Sequence, residues 1–212
     1  VMSTRVLLIQ APAEDVYPNP PLGLAYLGAV LERAGHEVLI IDAAAPYADY
    51  TISDLIDEAR RFAPGIVGVG LTTYSLEYAY PLLKALTQAG LDALIVVGGP
   101  HSTLLPDEVL QHGAQVAVRH DGEETILELV EHVQGERGLE DIEGISYWDA
   151  DGRVIHNPPR PRISDLDGLP FPAKHLFRQQ DYIRNSGDYE RFGNILSSRG
   201  CPYQCTYCSK IV

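Results

Sequence analysis

The chain has 212 residues, 45% of them hydrophobic and 21% charged, enough for one complete domain and part of another, with no sign of disorder or a fibrous repeat. Its net charge of -13 argues against a nucleic-acid partner, which would require clustered Lys and Arg. No apolar run reaches the roughly 18 residues of a membrane span, and Val1–Gln10 lacks the plan of a signal peptide, so a cytoplasmic protein without a membrane partner is expected.

Through about residue 135 the sequence alternates short apolar runs with amphipathic stretches. The runs Arg5–Ala11, Glu37–Asp42, Ile66–Leu71, Ala93–Gly98 and Val116–Arg119 are rich in Val, Ile and Leu and show little polar alternation. Strands buried on both faces read this way. Helical spacing is found in Leu22–Ala34, which ends at Gly35, and in Ser53–Phe62, Ser75–Ala89, Pro106–Gln111 and Glu123–Val133. Strand–helix alternation predicts right-handed βαβ units, hence a flavodoxin-like, doubly wound, five-stranded parallel sheet. A ligand of such a sheet sits beyond the carboxyl ends of its strands, at the switch point.

The pattern then changes. Gly144–His156 predicts a hairpin with its turn at Ala150-Asp151-Gly152, and the proline-dense Asn157–Pro172 predicts an extended linker. Asp181–Phe192 has no decisive pattern, and Asn194–Ser198 predicts a short strand leading into a cysteine loop. The expected division is 1–137 for the α/β domain, 138–190 for hairpin and linker, and 191–212 for the start of a second domain.

All three cysteines, Cys201, Cys205 and Cys208, fall within eight residues, an odd and tight set that suits a metal or cluster better than disulfides. The C-x3-C-x2-C loop can hold three irons of a cubane cluster and leave the fourth iron open, since four thiolates would close it. A zinc site completed by His175 or another residue is the alternative, although zinc sites more often use paired cysteine knuckles. Four other loops should converge on one rim of the sheet: Tyr17–Gly23 after the first strand, Gly70–Ser75 after the third, Gly98–Thr103 after the fourth and His120–Thr125 after the fifth. Glycine permits close approach of backbone to a ligand. Taken singly, Gly98-Gly99 could be a turn and Thr73 or Ser75 a helix cap; their convergence favours a binding site.

With Arg199-Gly200 before it and Tyr207 inside it, the cysteine loop resembles that of the radical S-adenosylmethionine superfamily. Pro20–Leu27, Val97–His101 and the linker Leu169–Pro172 resemble the cobalamin-binding domain that precedes the radical domain in many such enzymes. The resemblance covers nearly the whole chain. It implies a 4Fe-4S cluster on Cys201, Cys205 and Cys208, S-adenosylmethionine on the open iron with Tyr207 near the adenine, and Asn194–Ser198 as the first strand of the radical barrel. It further implies cobalamin held by Pro21, Leu22, Gly23, Leu71, Thr72, Thr73, Tyr74, Ser75, Gly98, Gly99, Pro100, His101, Thr103, Gly122, Glu123 and Glu124. The implied partners are a small-molecule substrate and an external electron donor such as flavodoxin or ferredoxin. The implied reaction is methyl transfer to an unactivated carbon or phosphorus. Oxidative ring closure on a tetrapyrrole and a non-catalytic cobalamin carrier are the alternatives. The rest of the barrel is expected to lie outside these residues, so the chain alone is expected to be inactive and to hold its cluster poorly.

Better-known cobalamin domains carry Asp-x-His-x-x-Gly after the first strand. Here Glu14, Asp15 and Tyr17 occupy that loop without a histidine, so no histidine of this domain is expected to ligate cobalt. For His101 the alternatives are a cobalt ligand, a polar contact to the corrin side chains and a helix cap, of which the resemblance implies the contact. A phosphate-accepting receiver domain is excluded by Leu71-Thr72-Thr73 and Arg119-His120, where it would need an aspartate and a lysine. A flavin carrier would need a Ser/Thr/Gly-rich loop where Pro18–Pro21 stands.

Overall fold

The computed structural model describes residues 2–14, 19–182, 194–203 and 205–208. Its strands are β1 (Arg5–Gln10), β2 (Glu37–Asp42), β3 (Ile66–Gly70), β4 (Leu94–Gly98), β5 (Val116–Val118), β6 (Ile145–Trp148) and β7 (Val154–His156). Its α-helices are α1 (Leu22–Arg33), α2 (Ile52–Phe62), α3 (Leu76–Gln88), α4 (Pro100–Leu104), α5 (Pro106–Gln111) and α6 (Glu123–Val133). The sheet order is β2-β1-β3-β4-β5-β6-β7. β1 to β5 pair in parallel, with β1 between β2 and β3. This is the doubly wound arrangement, and its switch point lies between β1 and β3.

Side chains along each strand alternate between two cores. Leu7, Ile9, Val67, Val69 and Val97 pack with Leu55, Leu82, Leu86 and Val109, from α2, α3 and α5. Val6, Leu8, Ile66, Val96 and Val116 pack with Leu24, Leu31, Ile126 and Leu129, from α1 and α6. Both faces are covered, which explains why these strands carry unbroken apolar runs. α2 starts at a capping box in which Thr51 and Asp54 bond each other's backbone N–H, and it ends at Ala63 in the left-handed region (φ 49°). α4 was not expected: five residues are too few to show a helical period.

The hairpin forms, with Gly152 at φ 74° in its turn and Asp149 Oδ1 accepting the N–H groups of Asp151 (2.9 Å) and Arg153 (2.8 Å). It does not stand apart from the five-stranded sheet. β6 pairs antiparallel with β5, so the sheet has seven strands. The edge of β5 would otherwise leave its backbone groups unpaired, and Ile145 and Tyr147 complete the α1/α6 core.

The proline-rich segment is extended, as read, and returns over the α1/α6 face. Arg160 pairs with Glu124 (3.1 Å) and Glu128. Arg33 donates to Gly168 O (2.7 Å), and Ala173 N–H to Ala25 O (2.9 Å). Gly28 makes room for this strap: a Cβ there would lie 2.9 Å from Leu176 Cδ1. Residues 194–198 are not a strand. A barrel strand needs ladder partners, and none lies beside them among the described residues. Asn194 is instead anchored to Pro20 O (3.1 Å) and by Lys174. The expected loop residues 15–18 and most of Asp181–Phe192 lie outside the described residues. No helix among the described residues is long and apolar enough to cross a membrane.

Candidate functional site

At the carboxyl edge, Gln10, Gly70 and Gly98 sit side by side in register on β1, β3 and β4. A Cβ on Gly70 would meet Gln10 Oε1 at 3.1 Å and Leu24 Cδ2 at 3.4 Å, so this row faces α1. A Cβ on Gly98 would meet nothing within 4 Å. The sheet end therefore has an opening on its α1/α6 side that is floored by backbone.

Gly99 has the opposite role. Its φ of 111° favours glycine, and a Cβ there would lie 2.5 Å from Leu71 O. This close passage lets the β4 loop cross the end of β3, where Leu71 N–H donates to Gly98 O (3.1 Å). Ser102, which the sequence did not single out, is fully buried and bonds both Gly99 O (3.0 Å) and Val118 O (2.9 Å). Thr103 Oγ1 donates to Gly99 O (3.1 Å) and accepts the His120 N–H (2.9 Å). The β4 and β5 loops are thus fixed to each other.

The β3 loop divides between structure and surface. The Leu71 side chain is in the core, and Ser75 is 1% exposed. Ser75 Oγ accepts the Thr72 N–H (3.0 Å) and donates to Thr72 O (2.9 Å), so it has no hydroxyl proton left for a ligand. Thr73 and Tyr74 are exposed at the rim, Tyr74 by 81%. Pro21 precedes the first turn of α1, and Leu22 and Gly23 begin it beside the same edge; Gly23 also faces open space. Pro100 is exposed at the first position of α4.

His101 is 2% exposed and points inward. Its Nδ1 lies 3.1 Å from Thr73 Oγ1 and its Nε2 3.2 Å from Tyr80 Oη, while Tyr80 donates to Glu108 Oε1 (2.6 Å). Burial first, then the Glu108 bond and charge, push the Tyr80 hydroxyl well above its ordinary value. Both ring nitrogens of His101 are engaged within the protein.

On the fifth-strand side, Gly122 precedes α6. Glu124 faces the strap through Arg160, and Glu123 is 5% exposed. The partner of Glu123 is Arg199, next to the cysteine loop. Arg199 also meets Asp121 (3.3 Å) and lies over the Tyr26 ring (4.9 Å). Burial alone would lower the Arg199 guanidinium, but its carboxylate partners outweigh it and raise it. A groove of about 230 Å³ beside this junction is lined by Tyr26, Leu169, Phe171, Leu196 and Arg199, among others. The junction places residues 199–200 next to the N-terminus of α6, a contact across 76 positions that no local pattern announces.

Cys201, Cys205, Cys208 and Tyr207 are exposed, and Cys208 N–H donates to Cys205 O (3.2 Å). The cysteines are free thiols. Among the described residues no three His, Cys, Asp or Glu side chains converge on a metal position. His175 lies 3.0 Å from Glu32.

A doubly wound α/β domain receives its ligands beyond the carboxyl ends of its strands, the edge on which the opening over Gly98 lies. The chain belongs to the B12 binding domain family, which matches residues 13–130. An uncharacterized methyltransferase of Pyrococcus horikoshii is 36% identical over 213 residues, covering 97% of this chain and 45% of that protein. The anaerobic magnesium-protoporphyrin IX monomethyl ester cyclase of Rubrivivax gelatinosus is 30% identical over 197 residues, covering 90% of this chain and 35% of that one. The chain therefore spans less than half the length of these relatives. Its fold is shared with the radical S-adenosylmethionine methyltransferase TsrM from Kitasatospora setae, solved with cobalamin and a [4Fe-4S] cluster bound. That match has a TM-score of 0.72 and 23% identity, and covers 99% of this chain and 42% of that one. The resemblance drawn from the sequence agrees with both the family and the fold.

Proposed function

We propose that the chain is the cobalamin-binding part of a radical S-adenosylmethionine enzyme, with methyl transfer to an unactivated centre as its reaction. The observation that carries this reading is the opening over Gly98. It offers a backbone floor and free volume where a bulky group can lie against the sheet end. The residues fit cobalamin on that ground: Gly98 and Gly23 face open space, and Thr73, Tyr74 and Pro100 stand at the rim. Leu71 and Ser75 would shape the site from below, and Gly99 and Thr103 would hold the loop. Gly122, Glu123 and Glu124 would act through α6 and its partners. His101 would not reach the cobalt, because both of its nitrogens are taken by Thr73 and Tyr80.

The cysteine loop fits a 4Fe-4S cluster by its donor chemistry, three free thiols on one short turn, which leaves one iron for S-adenosylmethionine, with Tyr207 beside the adenine. When bound, cobalamin would supply a transferable methyl group, and the cluster with S-adenosylmethionine a means of removing a substrate hydrogen. This chain's residues would hold and orient those groups: the sheet edge from one side, and Arg199 fixing the start of the cysteine loop on α6. A small-molecule substrate, an electron donor such as flavodoxin or ferredoxin, and a cytoplasmic setting belong to the same proposal. Oxidative closure on a tetrapyrrole is the second reading, favoured by the Rubrivivax relative.

Titration of the chain with hydroxocobalamin, followed by visible spectra, tests the proposal. Saturable binding with a spectrum of the base-off type, unchanged in position by His101→Ala, is expected. A spectrum that shifts with His101→Ala would refute the absence of a histidine ligand, and no binding would refute the cobalamin site.

A further inference from the structure

The four side chains that run inward from the rim have only one consistent arrangement of protons while the imidazole is neutral. A carboxylate only accepts hydrogen bonds, so the Tyr80 hydroxyl must donate to Glu108, 2.6 Å away. The Tyr80 oxygen can then only accept from His101 Nε2, at 3.2 Å. A neutral imidazole carries a single N–H. With that proton on Nε2, Nδ1 is an acceptor, and the Thr73 hydroxyl, 3.1 Å away, must donate to it. The middle of the path is sheltered, with His101 2% exposed and Tyr80 half-buried and stacked on His112 at 3.7 Å, while Thr73 at one end and Glu108 at the other, its side chain 38% exposed, reach solvent. The pressure on Tyr80 to keep its proton, from burial and from Glu108, is in the same sense.

A threonine hydroxyl normally adapts, donating or accepting as the ligand requires. We infer that Glu108, through Tyr80 and His101, locks the exposed Thr73 hydroxyl as an acceptor, so that the rim selects a ligand presenting an N–H donor and rejects one presenting a carboxylate. Resting on the cobalamin reading, this assigns Thr73 to a peripheral carboxamide of the corrin and makes it a specificity-determining residue. Tyr80, His101 and Glu108 are positioning residues that never touch the ligand. A carboxylate at that place would face the Thr73 oxygen with no proton between them, which costs affinity in the way any unpaired polar contact does.

The first arm of the test needs no ligand. Nitrogen-15 spectra of histidine-labelled chain at pH 8, with His101 assigned from His101→Gln, should show the Nε2–H tautomer. Glu108→Gln can donate to Tyr80 and let the relay reverse, so the Nδ1–H form should appear in it; Tyr80→Phe should show the same loss of preference. The second arm compares hydroxocobalamin with its monocarboxylates, in each of which one peripheral amide is hydrolysed. The wild type should bind at least one of these about tenfold more weakly than the parent, and Glu108→Gln should reduce that discrimination to about threefold or less. An Nδ1–H tautomer in the wild type, or equal affinity for all the monocarboxylates, would overturn the inference. Failure of every corrin to bind the wild type would overturn the cobalamin reading instead, and the tautomer would still decide whether Thr73 is held as an acceptor.

Discussion

Gly98 and Gly99 are adjacent and chemically identical, yet they should fail in different ways. A methyl group on Gly99 would be driven into Leu71 O at 2.5 Å, on a backbone with φ 111°. Gly99→Ala should therefore lower the unfolding free energy by about 2 kcal/mol or more in urea titration. A methyl group on Gly98 meets nothing, so Gly98→Ala should unfold within about 0.5 kcal/mol of the wild type while its affinity for hydroxocobalamin falls. Equal affinity in the two proteins would detach the opening from the binding site. The glycine pair stood out in the sequence only because its loop converges with three others on one rim, since taken singly it could be a turn. The division of labour between the two was not, since it depends on what lies across the gap.

Asp42, at the end of β2, is 6% exposed and accepts hydrogen bonds from Tyr182 (2.5 Å) and the Ala44 N–H (3.0 Å). Burial raises its carboxyl above the usual value, and its hydrogen bonds only partly oppose this. A raised carboxyl favours the fold most while protonated, so its contribution is full below the unfolded value near about 4 and is lost as pH rises through the folded one. The urea midpoint of the wild type relative to Asp42→Asn should therefore fall as pH is raised from about 4 to about 7. A constant difference would mean that Asp42 titrates normally.

At the scale of elements, the five parallel strands were readable because burial on both faces makes Val, Ile and Leu predominate in them. The helices α1, α2, α3, α5 and α6 showed through their helical spacing, with α2 read from Ser53 although its capping box starts it at Thr51. What escaped was fixed by distant partners. α4 is too short to have a period, and Ser102 within it is explained only by Val118 across the loop. The docking of β6 onto β5 depends on an edge that the hairpin sequence does not contain. Residues 194–198 have the composition of a strand, but strand geometry comes from a neighbour. The same holds for Arg199, read in sequence only as a flank of the cysteine motif, whereas in the fold it joins that motif to Glu123, Asp121 and Tyr26. Both members of the Arg199–Glu123 pair are largely withdrawn from solvent, their side chains 19% and 6% exposed, so removing one charge leaves the other uncompensated. In Glu123→Gln the amides of residues 196–203 should exchange hydrogen about tenfold faster, with those of β6 and β7 unchanged. Unaltered exchange at 196–203 would show that the segment is held by other contacts.

Across the described residues, the faces and the carboxyl edge of the sheet have different tasks. Both faces are covered by apolar packing, the α1/α6 face also by the strap, while the carboxyl edge holds the loops whose residues are far apart in sequence. Sequence reasoning found that edge because doubly wound topology dictates it. It could not find the inward path from Thr73 to Glu108, whose four members come from the β3 loop, α3, α4 and α5. The opening above Gly98 has a further consequence for the history of such proteins. Its floor is bare backbone, and a single-base change from a glycine codon to an alanine codon would set a methyl group on it. On the cobalamin reading such a lineage would keep its fold and its cysteine motif while binding its ligand more weakly, and selection for a stable protein would not see the difference.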